Sequence, residues 1–119
     1  MIVNWNKCGK GTDAHWCSLE RLQLDSIAED GGVYIIWHEG NPSRVVRIGQ
    51  GIISDRLNVH RNDREITTYR KYGALRVTWA AVPILQRDAV ERYLADTWPP
   101  LVGSAFPDVR PLAVNSPWG

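Results

Sequence analysis

Hydrophobic positions in this chain fall into short β-branched runs and helix-spaced sets, separated by turn residues. Val33 to Trp37 predicts a strand, with Val33, Ile35 and Trp37 on one face and Tyr34, Ile36 and His38 on the other. Glu39-Gly40-Asn41-Pro42 reads as a turn and Arg44 to Ile48 as a second strand, ended by Gly49 and Gly51. Together they predict an antiparallel hairpin. Leu75 to Val82, rich in Val, Thr and Trp, predicts a third strand at the centre of the sheet. Helical spacing predicts a short helix over Ser18 to Ile27, broken by Asp30-Gly31-Gly32. A second runs from about Asp55 to Arg61 behind a Ser54 N-cap, with Ile53, Leu57 and the Arg61 stem on its buried side. Glu65 to Tyr72 follows, with Gly73 at its C-terminal cap. The longest helix, Gln86 to Trp98, turns Leu85, Ala89, Val90, Tyr93, Leu94 and Trp98 to one side and stops at Pro99-Pro100. Residues 1–15 and the Pro-rich stretch after 100 read as loops, apart from the apolar Leu112 to Val114.

These elements predict one α+β domain over residues 31–119, with residues 1–30 as an extension packed on it. A 44% hydrophobic fraction argues against disorder. No stretch approaches the roughly 18 apolar residues of a membrane helix. Met1 to Lys7 has no basic start followed by an apolar core, so no signal peptide is expected and a soluble, cytoplasmic setting is.

The net charge of +1 carries little information, because the basic residues are local. Arg56, Arg61, Arg64, Arg70, Lys71 and Arg76 cluster, diluted by Asp55, Asp63 and Glu65. They read either as a solvated face of paired charges or as a phosphate-contacting patch, in which Arg61 and Arg64 would bind substrate. Trp16, Trp37 and Trp79, among apolar neighbours, read as buried anchors rather than base-stacking platforms. Cys8 and Cys17 have no CxxC spacing, and His15 does not complete a zinc site. Two reduced thiols are expected, with a disulfide inside the N-terminal segment as the alternative.

One ordered set of polar residues carries the chemistry. Tyr34 lies in Gly32-Val33-Tyr34, and Arg47-Ile48-Gly49 ends the next strand. Arg56 and His60 are one helical turn apart on one face. Glu91 adjoins Val90 on the longest helix, where an acid at the edge of an apolar stripe is costly unless paired or coordinated. Asn115 is the only asparagine after Asn62. A tyrosine, two arginines, a histidine and one acid are what metal-assisted cleavage of a phosphodiester requires.

Over roughly residues 31 to 115 this order resembles a GIY-YIG nuclease domain. The resemblance implies an α+β fold with a small three-stranded antiparallel sheet flanked by helices. It also implies a divalent-metal-dependent endonuclease acting on nucleic acid, with DNA favoured. By that resemblance Tyr34 binds or deprotonates the attacking water, aided by His60. Arg56 stabilises the phosphate with a forked contact. Glu91 is the sole protein ligand of one Mg²⁺ or Mn²⁺. Asn115 orients Glu91 or a backbone group. Position 47 departs from the pattern, since the second half-motif usually begins with tyrosine. Arg47 would instead lower the Tyr34 pKa or contact phosphate, or it would sit exposed beside Asp55. For Glu91 the plainer reading is a surface acid paired with Arg87 or Arg92. No second acid is evident, so a single metal is expected.

Two further readings stand beside the nuclease. One is a lapsed module that binds nucleic acid or protein without cutting. The other is a toxin or effector nuclease with an immunity protein as partner.

Overall fold

The computed structural model describes residues 1–28 and 31–119; Asp30, expected in the break before the first strand, lies outside the described residues. The sheet is antiparallel and holds four strands in the order β1-β4-β2-β3. These are β1 (Cys17–Ser18), β2 (Gly31–His38), β3 (Arg44–Ile52) and β4 (Leu75–Ala81). The helices are α1 (Ile53–Arg61), α2 (Arg64–Thr67) and α3 (Ile84–Thr97), and a 3₁₀ turn, Thr68–Lys71, continues α2.

β2 is the middle of the fold and all eight of its residues are buried. Its alternation serves two cores. Val33, Ile35 and Trp37 pack with Ile48, Val90 and Leu94 on the α3 side. Tyr34 and Ile36 pack with Val46, Ile53, Leu57 and Ile66 on the α1 side. Each buried Val, Leu or Ile contributes on the order of 1.5–3 kcal/mol from the water it leaves. A strand that feeds two cores therefore fixes its register firmly, since a one-residue slip would exchange the faces. That register sets Tyr34 opposite Gly49 on β3 and Trp79 on β4.

Four strands replace the expected three because β1 forms where a helix over Ser18 to Ile27 was expected. Cys17 and Ser18 pair with Val77 and Arg76. The Leu19 N–H then donates to the Leu75 carbonyl. The carbonyls of Leu19 and Leu22 are taken by the Arg61 guanidinium at 2.8 Å and 2.6 Å. With those groups committed sideways, only a 3₁₀ turn at Leu24–Ser26 remains.

The cysteines also correct an expectation. Cys8 and Cys17 form a disulfide rather than two free thiols. A backbone bridge between Cys8 and His15 folds the segment back, and the two Cα atoms come to 5.1 Å, within the usual span of a disulfide.

Smaller differences have local causes. α1 starts at Ile53, so Ser54 lies inside its first turn and Ile52 holds the cap position. Helical structure gives way at Tyr72, with φ −92, and Gly73 does not take the left-handed cap. α3 starts two residues early at Ile84, and its first turn faces solvent, leaving Leu85 95% exposed instead of in the apolar stripe. No helix among the described residues is long and apolar enough to cross a membrane.

Candidate active site

The candidate residues gather around the outer strand, β3. Strand alternation sends Arg47 and Gly49 toward α1 and Ile48 and Gln50 toward α3. Beyond α3 the chain returns along the free edge of β3, where Leu101 and Val102 N–H groups donate to the Val45 and Val46 carbonyls. Gly103, at φ +97, then passes against the Arg47 guanidinium, where a side chain would collide.

On the α1 side, Tyr34 and His60 form a buried pair. The Tyr34 hydroxyl and His60 Nε2 are 2.5 Å apart, and the residues are 1% and 3% exposed. Gly49 makes room for the phenol, because a Cβ there would overlap the Tyr34 ring and hydroxyl. Burial raises the Tyr34 pKa above 10, opposed by the Arg56 and then the Arg47 guanidinium. Burial lowers the His60 imidazole to about 4, with Arg47 and Arg56 adding to the effect and Asp63 opposing it. At neutral pH both groups are neutral, a phenol hydrogen-bonded to an imidazole. Among the described residues His60 Nδ1 is buried without a partner, and so is Arg47 Nε.

On the α3 side, the acids are held by an amide. Gln50 Nε2 donates to Glu91 Oε2 at 2.9 Å and to Asp88 Oδ1 at 2.6 Å. Glu91 is partly buried, and that burial raises its pKa. The Gln50 hydrogen bond and Arg47 oppose the rise, while the Asp88 charge adds to it. The plainer reading of Glu91 fails: Arg87 donates to the Val82 carbonyl and Arg92 pairs with Asp96. Arg47 likewise makes no ion pair with Asp55 among the described residues; its charge is felt by Tyr34, His60 and Glu91.

Arg47, Arg56, Tyr34, His60 and Glu91 are therefore brought together, and three expected members, Asn115, Arg61 and Arg64, are not. Asn115 gives both ends of its amide to Val3: Oδ1 accepts from the Val3 N–H at 2.7 Å and Nδ2 donates to its carbonyl at 3.0 Å. It fixes a backbone, that of the N-terminal segment, and no hydrogen bond joins it to Glu91 among the described residues. Arg61 holds the Leu19 and Leu22 carbonyls, which occupies the fork expected to meet phosphate. Arg64 is exposed at the start of α2 and makes no ion pair among the described residues.

The residues missed in the sequence are Gln50 and Asp88. Asp88 precedes Glu91 by one helical turn, a spacing that makes side chains neighbours. That was a usable signal for a second acid. Gln50 has no such signal, because only the strand register turns it to α3.

The oxygen donors fit a hard divalent cation. Two carboxylates stand close enough to share one amide nitrogen, and the burial and mutual repulsion that raise the Glu91 pKa are both relieved by positive charge. No group of three or more His, Cys, Asp or Glu side chains gathers as a metal cage among the described residues. A magnesium that keeps most of its waters is compatible with that small donor set. Comparisons of the chain with protein-family profiles, with characterised proteins and with solved structures returned no match.

Proposed function

We propose that the chain is a metal-dependent endonuclease that hydrolyses phosphodiester bonds of nucleic acid, DNA above all, with a GIY-YIG-like site. The observation that carries this reading is the buried Tyr34–His60 hydrogen bond with Arg47 and Arg56 beside it and Glu91 within reach of the Arg47 charge. A phenol above its ordinary pKa is a poor base alone, and an imidazole at about 4 is a poor base alone. A substrate phosphate bound between Arg47 and Arg56 would offset the two charges that help hold the imidazole low, and the pair can then act as a relay. Tyr34 takes a proton from the attacking water while passing its own to His60 Nε2, so no phenolate is left behind. The resulting hydroxide adds to phosphorus, and the bond from phosphorus to the leaving oxygen breaks.

Arg56 and Arg47 are cations fixed before the reaction, and they stabilise the charge that develops on the phosphate oxygens. Arg47 Nε, which has no partner among the described residues, is a donor suited to such an acceptor. Glu91, with Asp88, would hold Mg²⁺ or Mn²⁺, which supplies electrophilic stabilisation of the departing oxygen. Gln50 keeps both carboxylates turned to one point. As to compartment, the Cys8–Cys17 bond supports an oxidising one over the cytoplasm.

Plasmid nicking with Mg²⁺ tests the reading. Wild type is expected to nick, and Glu91→Ala and Arg56→Ala are each expected to lose about a hundredfold or more of the rate. Nicking that survives both substitutions, or that persists in excess EDTA, overturns the assignment.

A further inference from the structure

Four of the six tryptophans meet where β2 ends, β3 begins and α3 stops. Trp118 stands edge-on to Trp37 at 5.1 Å between ring centroids, to Trp98 at 5.2 Å and to Trp16 at 6.5 Å. They line a cleft of about 620 Å³, with Glu39 and Arg44 supplying its charged groups. Trp37 is buried, as expected of an anchor, but Trp118 is 41% exposed. The cluster is therefore only partly spent on the core and offers indole surface to a ligand. The volume suits a nucleotide-sized molecule.

Charge narrows the ligand class. The Glu39 carboxylate is neutralised by Arg76 at 2.7 Å. Arg44 is exposed and meets no carboxylate among the described residues. The cleft thus joins aromatic walls to uncompensated positive charge. An anionic group is drawn to Arg44, and an apolar peptide makes no use of it. A flat ring carrying an anionic group satisfies both features, and a nucleobase with its phosphate is such a group.

We propose that this cleft holds an unpaired base of the nucleic-acid substrate, stacked on Trp118 or Trp98 with its phosphate on Arg44. The proposal rests on the nuclease reading and adds a substrate class, single-stranded or frayed nucleic acid. Two elements run from the catalytic residues to the cleft. Arg44 to Arg47 along β3 spans about 10 Å at roughly 3.3 Å per residue. Glu91 to Trp98 along α3 spans about the same at roughly 1.5 Å per residue. A strand whose scissile phosphate meets Arg47 reaches the cleft within a few nucleotides. A paired base has both faces stacked in its duplex and cannot enter.

Quenching of tryptophan fluorescence by a short oligothymidylate, and by a hairpin duplex of equal length, tests this in EDTA, where cleavage is absent. The single strand is expected to bind about tenfold or more tightly than the duplex. Trp118→Ala and Arg44→Glu are each expected to weaken single-strand binding about tenfold or more. Arg44 is a surface residue, so its substitution keeps the test free of misfolding. Single-strand affinity within twofold of wild type in both variants overturns the proposal, as does a duplex bound equally well. Nicking assays separate the two readings. Glu91-dependent nicking with unchanged strand preference in both variants sinks the cleft and leaves the nuclease. Cleft-dependent single-strand binding without any nicking sinks the nuclease and leaves the cleft as a binding site.

Discussion

The two sides of the sheet at β3 handle polar groups in opposite ways. On the α1 side, a phenol and an imidazole are buried beside Ile, Leu and Val and hydrogen-bonded to each other. Both are neutral at pH 7, because burial penalises the charged form of each. On the α3 side, Glu91 and Asp88 keep contact with solvent and are joined by the Gln50 amide. A dry site suits moving a proton between neutral groups, and a wet acidic site suits taking up a cation. Arg47 sits on the strand between them, and its charge acts on both.

That comparison can be broken at its link. Arg47→Ala is expected to cost about a hundredfold or more in nicking rate. It should also raise the His60 pKa, since a positive charge that opposed protonation is gone. The measurements are nicking rate and an NMR titration of the imidazole. A substitution that slows nicking yet leaves His60 unmoved would separate the two sides and refute a shared role.

The dry side can be tested by acid alone. The folded His60 pKa of about 4 lies below the ordinary 6.5, so between those values the unfolded chain binds a proton that the folded one refuses. This contribution is fully present above pH 6.5 and is lost as the pH falls to about 4, to a total of roughly 3 kcal/mol. Denaturant unfolding of wild type and His60→Gln across that window should show the gap closing with acid. A gap independent of pH sinks the claim that the imidazole is buried neutral.

The disulfide comes next in size. Its loop, with nine residues of sequence separation, predicts a loss of about 2–3 kcal/mol on reduction. Unfolding with and without reductant measures it. Because Cys17 belongs to the core on the α1 side, the loss should be felt on that side, with slower amide exchange lost first near β1 and Leu19.

Arg61→Ala should have the smallest effect and the most discriminating one. Its guanidinium ties α1 to the Leu19–Leu22 segment, so stability should fall by about 1–3 kcal/mol. The affinity for nucleic acid and its salt dependence should stay as in wild type. A salt slope reduced by about one would return Arg61 to the phosphate contacts.

The hairpin, the third strand and the longest helix were legible in the sequence because each rests on local periodicity. The two faces of β2 could also be read there, down to Tyr34 opposing Val33 and Ile35. The Ser18 to Ile27 stretch misled for a physical reason. Its Leu spacing suits a helix, but its carbonyls are claimed by Arg61, which lies about forty positions later. For Asn115 the backbone group it holds could not be read in advance: an amide near the C-terminus serves Val3 at the other end of the chain. Such partners are set by tertiary closeness, and no local pattern announces them.

The sequence by itself determined the strand and helix periods, the one-turn pairing of Arg56 with His60 and the place of Glu91 beside an apolar stripe. These follow from geometry that repeats within a few residues. Only the tertiary structure decided that Tyr34 and His60 share a hydrogen bond, that Gln50 joins Glu91 to Asp88, and that Arg47 acts on both sides. Each of those depends on the register of β2 and β3 and on which helix covers which face. Register and layer order arise from burying two cores at once, a property of the whole chain.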